Sequence, residues 1–465
     1  MNATRLTILL LTVLLGTNVY RGASQSITID EAFTYNAFLA GPLGDLLNQY
    51  DANHHVLHSF LCKISIGILG LSEFSFRLPS LLGGLLYFMA AFRLGRLLFG
   101  SGWALPLSIS LLTLSPGLLD YFSAARGYGM AAAFLMLAIL QMAHYDDRPG
   151  RLERGALCLA ASVASNLSFA FPAVALALVF ALSMARENRL ADAVDRFLVP
   201  GLVTAFTILV LPLTHLRPHH FYAGLPTLRE SVESVWGSFL SSDLSRTPAP
   251  QGIWFLLPVV TLAAALSRGG PLRKITPAAR VLRLSTAALV GSVLLLVTGH
   301  YLLGILYPVR RTGLYWIPLL VLTCLALAAH IVNTSRGRRA AVPFAAAGLA
   351  LAAQFLSQWS VSRYAEWPYD SDTKRVVKRI IEDHKSHPSP EVTVGATWGV
   401  EPGVNFYRYR YRLHWMLPVV RELEGVKALD YYVLRGDDRS LVEKRGLETL
   451  YANEATLTTL AVPKR

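Results

Sequence analysis

Long apolar runs separated by short charged links fill the first 357 residues. A helix that crosses the hydrocarbon core needs about 20 mostly apolar residues. Such runs lie at about 5–20, 76–100, 103–119, 127–143, 155–184, 197–215, 253–267, 284–306, 313–332 and 339–357. The run 155–184 contains Asn166 and Pro172 near its middle, so we interpret it as a short re-entering hairpin of two helices. The pattern then predicts about eleven spans.

The first run has the charged start and apolar centre of a signal peptide, and "GAS" after it would suit cleavage. We favour a signal anchor, since no soluble secreted domain is recognisable after it. Within residues 54–71, apolar side chains recur at steps of three and four, with polar side chains opposite. This pattern predicts a helix lying in the membrane interface.

Residues 358–465 are polar and mixed in charge. Their pattern predicts a helix over 370–385 and strands over 391–399, 428–436 and 455–463. We therefore divide the chain into a membrane module, 1–357, whose first outer loop (21–75) carries interfacial helices, and a small α/β domain, 358–465. The fold class expected is an all-α polytopic membrane protein with that α/β domain on its outer face.

Composition supports the membrane class, because 53% of residues are hydrophobic and 16% are charged, against about a quarter charged in soluble domains. The net charge of +13 does not indicate nucleic-acid binding, since the basic residues form no single stripe. With a cytoplasmic N-terminus, the links 267–283 and 333–339 lie inside, and neither contains an acidic residue. Three cysteines, an odd number, do not predict a disulfide framework.

Acidic residues beside a bilayer are functional candidates, because an unpaired carboxylate there is costly. Asp30 and Glu31 follow the first apolar run directly. One interpretation is a pair of carboxylates in the first turn of a helix, which interact favourably with its dipole. The other is a general base held beside a membrane-level cavity.

Three further groups in the outer loops could contact an anionic substrate. Asp120 precedes Arg126 and Tyr128, and an arginine fork suits phosphate, although an ordinary surface ion pair is the alternative. A second group could line a substrate groove, pack at the interface or, by the spacing of two histidines, bind a metal; it comprises Asp51, His54, His55 and His58. A third group, His300, Arg310 and Arg311, surrounds an outer link, where snorkelling arginines compete with a lipid-phosphate site.

The order "TIDEAFTY", "YDANHHVLHSFL", "RLPSLLGGLLYFMAAFRLGRLLFG" and "SAARGYGM" resembles the GT-C superfamily of integral membrane glycosyltransferases, in the branch of protein mannosyltransferases and aminoarabinose transferases. The resemblance covers about the first 185 residues. It implies a hexosyl- or pentosyltransferase that takes a sugar from a polyprenyl-phosphate donor, with inversion, at the outer face of a bacterial inner membrane. The acceptor would be a glycan, lipid or protein.

Within that resemblance, Asp30 would be the base, Glu31 would orient it or bind acceptor hydroxyls, and Arg126, Arg310 and Arg311 would meet the lipid phosphate. Asp120 matches the second acidic residue of some members only loosely. No cofactor is expected to be required, and the first loop has no DxD-type metal motif, although a divalent cation could bridge phosphate and carboxylate.

Two other classes of function remain open at this stage. A transporter or flippase for a lipid phosphate would usually show internal repeats and ionisable groups at the bilayer midplane, and neither is recognisable in the sequence. A scaffold protein without catalytic activity could use the aromatic and arginine-rich segment "NFYRYRYRLHW" to contact a partner.

Overall fold

The computed structural model describes residues 2–148, 150–217, 223–240, 260, 261, 263, 265, 270–332, 341–421, 423 and 428–464. In this part of the chain, six helices are long and apolar enough to cross a membrane, and four shorter apolar helices accompany them. The predicted class, a polytopic helical membrane protein with a small α/β unit after it, is confirmed. The predicted span 253–267 lies mostly, and the basic link 333–339 entirely, outside the described residues.

Most long helices of the membrane module follow the predicted runs, but the run 103–119 forms two short helices, Ala104–Thr113 and Pro116–Tyr121, and a further helix, Leu228–Leu240, lies between two predicted runs. In chain order they are α1 Ala3–Ser24, α2 Ile29–Thr34, α3 Leu43–Leu47, α4 Val56–Leu69, α5 Glu73–Phe99, α6 Ala104–Thr113, α7 Pro116–Tyr121, α8 Gly127–Ala143, α9 Arg151–Ser165, α10 Ala170–Arg186, α11 Leu190–Ala193, α12 Val199–Leu213, α13 Leu228–Leu240, α14 Pro277–Leu303, α15 Trp316–Val332 and α16 Ala341–Ser357.

Contacts between helix termini define two ends of the helical layer. At the first, which we call the site end, Arg77 near the start of α5 donates to the Gln25 carbonyl just past α1, at 2.9 Å. At the opposite end, Arg280 near the start of α14 donates to the Ala143 carbonyl at the end of α8, at 3.1 Å. The site end therefore holds the end of α1 and the start of α5, and the opposite end holds the end of α8 and the start of α14.

Two adjacent glycines let α5 approach its neighbours closely. A Cβ on Gly83 would lie 3.0 Å from the Met130 Cα in α8, and one on Gly84 would lie 2.9 Å from the Phe122 Cβ. Small residues allow such close backbone packing between membrane helices, where lipid offers no hydrophobic driving force.

The predicted hairpin over 155–184 is present as two helices, α9 and α10. The break falls at Asn166, whose side chain accepts from the Ser168 amide at 2.9 Å. Its amide nitrogen lies 3.1 Å from the His55 Nδ1, so the tip of the hairpin reaches the site end.

Helix α4 has the predicted apolar stripe, but its polar side faces the protein. His58, Ser59 and Cys62 are buried against neighbouring helices, whereas Ile64 and Ile68 are exposed. An apolar exposed face suits lipid, and the inward polar face makes hydrogen bonds that the stripe alone does not reveal.

The C-terminal part is a four-stranded sheet with helices packed on it. Its helices are α17 Thr373–Ser386, α18 Glu401–Arg410 and α19 Leu441–Lys444, and its strands are β1 Val394–Ala396, β2 Tyr431–Arg435, β3 Leu447–Asn453 and β4 Thr458–Pro463. The strand order is β1-β2-β4-β3, with β1 and β2 parallel and the other pairs antiparallel. The sequence pattern placed α17, β1, β2 and β4 but missed α18, α19 and β3.

The C-terminal sheet and its helices, which we call the sheet unit, share a hydrophobic core with the first loop. The ring of Phe406 in α18 meets Tyr35 edge-on and stacks with Phe76, at ring-centroid distances of 5.2 and 6.1 Å. Buried Glu73 accepts from Lys374 at 2.9 Å and also pairs with Arg410. Apolar contact and buried ion pairs together hold the sheet unit over the loop that carries Asp30.

Candidate functional site

The segment "TIDE" begins α2 as a capping box. The Thr28 hydroxyl accepts from the Glu31 amide at 3.3 Å, and the Glu31 carboxylate accepts from the Thr28 amide at 2.9 Å. This reciprocal pairing satisfies two free amides at a helix start. It fixes the direction of α2 and turns the neighbouring Asp30 side chain the other way.

Glu31 is fully buried and uses both carboxylate oxygens. Arg77 donates to each of them, both at 2.7 Å, and the Ala125 amide donates at 2.5 Å. Arg77 also reaches the carbonyls of Gln25 and Ser26. Glu31 therefore ties α2 to α5 and to the segment before α8, and this geometry favours orienting its neighbour over touching a substrate.

Asp30 keeps 14% of its side chain exposed and faces a cationic and aromatic group. Its Oδ2 accepts from the Trp367 indole at 3.0 Å and lies 3.1 Å from the Arg311 Nη2. Among the described residues no hydrogen bond reaches its Oδ1. Burial alone would raise the pKa of this carboxyl, but Arg311, Arg126 and the indole outweigh burial and hold the pKa below its ordinary value.

Arg126 is buried beside the Asp30 backbone. Its Nη2 donates to the Asn53 side chain at 2.8 Å, and its Nη1 lies 3.4 Å from the Asp30 carbonyl. The Nε has no partner in the described part of the chain. A buried guanidinium with an unused N–H donor can bind an anion, and Arg126 would break no ion pair of its own in doing so.

Arg311 joins Asp30 to a second acid, Glu366. The Arg311–Glu366 distance is 3.3 Å, and burial raises the Glu366 pKa above its usual value even though Arg311 opposes that shift. The Trp367 ring, 1% exposed, packs edge-on against Tyr121 at 5.6 Å. Sequence reasoning missed Glu366 and Trp367; the available signal was "AEWPYD", an acidic and aromatic segment soon after the last apolar run.

Asp120 lies beside this group but is already paired. It forms a buried ion pair with Arg21 at the end of α1 and accepts from the Ala365 amide at 2.6 Å. Its partner is thus Arg21 and not the nearby Arg126. In this position Asp120 fixes the segment that carries Glu366 and Trp367.

The polar residues of the first loop, Asp51, His54, His55 and His58, form a cluster beside Arg126. The His55 ring meets Tyr128 edge-on at 5.1 Å, and His58 Nε2 lies 2.8 Å from the Ser80 hydroxyl. His54 stacks on a phenylalanine at 4.4 Å, and its burial lowers its pKa to about 4. Asp51 accepts from the Asn53 amide at 2.8 Å, which places the Asn53 side chain against Arg126.

Of the remaining candidates, Arg310 lies at the edge of the site, where its charge opposes the rise of the Glu366 pKa, and no contact links His300 to the site in the described part of the chain. The Arg310 side chain is exposed, and its amide donates to the Ser234 hydroxyl at 3.1 Å. His300 stacks on Tyr307 at 4.5 Å and its Nδ1 lies 2.8 Å from the Ile305 carbonyl. The described residues contain no group of three or more His, Cys, Asp or Glu arranged to hold a metal; metal independence stays a prediction.

No family model matches the chain. No curated protein matches it either. Two crystal structures of ArnT from Cupriavidus metallidurans are similar to it over 99% of this chain and 98% of theirs. The structure bound to undecaprenyl phosphate gives a TM-score of 0.54, and the apo structure 0.53, each at 12% identity. At that identity the similarity establishes the fold, and the chain has the GT-C-like fold that its motifs resembled.

Proposed function

From this fold and site, we propose that the protein is a membrane glycosyltransferase that moves a sugar from a polyprenyl-phosphate donor to a hydroxyl acceptor. One observation carries the proposal: a partly exposed, ionised carboxylate, Asp30, lies between Arg311 and the buried Arg126 at one end of a helical membrane layer. Support comes from the ArnT structure of the same fold, whose bound molecule is undecaprenyl phosphate.

The proposed reaction is a single inverting displacement. The acceptor oxygen attacks the anomeric carbon and gives its proton to Asp30, while the bond between that carbon and the phosphate oxygen breaks. The electron pair of the broken bond leaves with the lipid phosphate. Arg311 and Arg126 would neutralise this leaving group, and such fixed cations stabilise charge that develops in the transition state.

The depressed pKa of Asp30 is compatible with this role. A carboxylate that stays ionised at neutral pH is always in the form that accepts a proton, although it is a weak base for a neutral alcohol. Proton transfer to Asp30 becomes favourable only as the attacking oxygen gains positive charge. The proton is therefore transferred while the new bond to the anomeric carbon forms. Glu31 would act as a positioning residue through the capping box.

The donor lipid would lie along the membrane helices and present its phosphate at the site end. The proposal includes the localisation inferred from loop charge: a bacterial inner membrane, with the site end and the sheet unit at the outer face. The sheet unit covers the first loop, so the acceptor would approach between them.

The test is transfer of labelled sugar from polyprenyl-phosphate donors by the purified full-length protein in lipid. Asp30→Asn keeps the size of the side chain and removes the charge; Asp45→Asn changes another acid of the same loop and is the matched control. Transfer by wild type and Asp45→Asn, with none by Asp30→Asn, is expected. Transfer by Asp30→Asn at the wild-type rate would remove Asp30 from the mechanism, and lipid movement without transfer would indicate a transporter.

A further inference from the structure

A basic cavity lies at the opposite end of the helical layer, far from Asp30. Its volume is about 560 Å³, and its lining includes Arg93, Arg96, Arg148 and Arg151, with Phe92 and Leu140 as apolar floor. Arg93 follows Arg77, a residue of the site end, by sixteen positions on α5, which corresponds to about 24 Å along the helix axis. That distance approaches the thickness of a hydrocarbon core of roughly 30 Å.

The arginines of this cavity lack the carboxylate partners that others at the same end have. Arg189, Arg196 and Arg280 each form an ion pair there. In the described part of the chain no ion pair involves Arg93, Arg96, Arg148 or Arg151. The cavity has one acid, Asp147, and its carboxylate already contacts His144 at 2.5 Å.

Four guanidinium groups and one carboxylate line this cavity, so positive charge dominates it. The Arg151 guanidinium is repelled by Arg154, Arg148 and Arg93, and Asp147 attracts it. Its Nη1 donates to the Gln141 side chain at 2.9 Å, while its buried Nε has no partner among the described residues. The positive-inside rule accounts for basic residues at this end, but it does not require them to converge on one concavity.

An exposed apolar stripe leads from the cavity along α5. Leu82, Leu85 and Met89 are each more than a third exposed and precede Arg93 and Arg96 at steps of three and four. Residues at these steps share one helix face. A guanidinium cluster therefore continues into an apolar surface, as a lipid with a phosphate headgroup and acyl chains requires.

We infer that this cavity binds the phosphate headgroup of an anionic membrane lipid, with an acyl chain along the Leu82–Met89 face. Guanidinium groups bind phosphate oxygens in pairs, and the cavity volume is that of a small-ligand site. The inference does not depend on the proposed transfer reaction, because it uses other residues at the other end of the helices.

The experiment measures phosphatidylglycerol retained by the full-length protein after purification from vesicles of phosphatidylcholine with phosphatidylglycerol, by native mass spectrometry. The cavity variant is Arg93→Gln/Arg96→Gln/Arg148→Gln. The matched control, Arg186→Gln/Lys274→Gln/Arg283→Gln, removes three positive charges at the same end but outside the cavity.

Wild type and control are expected to retain the lipid, and the cavity variant to bind it about a hundredfold more weakly. Equal retention by the cavity variant, or equal loss in the control, would overturn the inference. A free-anion site would also overturn it: in that case millimolar inorganic phosphate would displace the lipid from wild type. Unchanged sugar transfer by the cavity variant would keep the two proposals separate.

Discussion

Adjacent carboxylates in α2 should respond in opposite ways to removal of their charge. Glu31→Gln is expected to destabilise the protein strongly, whereas Asp30→Asn is expected to abolish transfer and leave stability almost unchanged. The reason is that Glu31 and Arg77 are both fully buried as an ion pair, while Asp30 and Arg311 are partly exposed.

The loss of stability expected for Glu31→Gln follows from the Arg77 charge that stays buried. Arg77 would keep its backbone acceptors but would face a neutral amide, which leaves a buried charge without its counterion. Breaking such a pair costs about 3–5 kcal/mol, whereas loss of a partly exposed pair costs about 1 kcal/mol or less. For a chain of 465 residues the unfolding entropy is about 1 kcal/mol/K, so the Tm of Glu31→Gln should fall by about 3–5 °C.

The assay is thermal unfolding in one detergent, with transfer activity measured on the folded fraction. Glu31→Gln should keep measurable activity per folded molecule well below its melting temperature. A double variant, Glu31→Gln/Arg77→Met, should recover part of the lost stability because it removes the unpaired charge. Equal stability of Glu31→Gln and wild type would refute the assignment of Glu31 as the buried anchor of α2.

Three further predictions concern the same region. Trp367→Phe removes a hydrogen bond that lowers the Asp30 pKa, so the pKa should rise and the acid limb of the pH–rate profile should move to higher pH; an unmoved limb would contradict the contact. Arg311→Lys should lower kcat by about a hundredfold because the fork joining two carboxylates is lost, while Arg310→Lys, whose side chain is exposed, should change it little. The pKa of His54 is about 4 in the folded protein and about 6.5 in the unfolded chain. Between these pH values the unfolded chain binds more protons, so stability falls as the pH drops below 6.5. His54→Phe should remove a loss of about 2 kcal/mol at pH 5, measured as denaturant stability at pH 7 and pH 5; equal pH dependence in both proteins would contradict it.

Much of the architecture was readable from local patterns. Apolar runs of membrane-spanning length gave the helical class, and the polar residue Asn166 marked the break between α9 and α10. These features depend on residues close together in sequence, so hydropathy and spacing report them. Helix α18 was missed because its buried face is set by contacts with the distant first loop. Strand β3 was missed because most of its side chains are exposed or half-buried, so it shows no clear apolar alternation.

The sequence by itself determined that Asp30 and Glu31 directly follow an apolar run of membrane-spanning length, and it predicted that arginines lie near them. Only the tertiary structure decided which carboxylate is buried with Arg77 and which faces Arg311 and Trp367. Asp30 and Trp367 are separated by 337 positions, and no periodicity links them. Their contact exists because the capping box orients α2 and the sheet unit packs on the first loop, and such long-range packing leaves no local signal in the sequence.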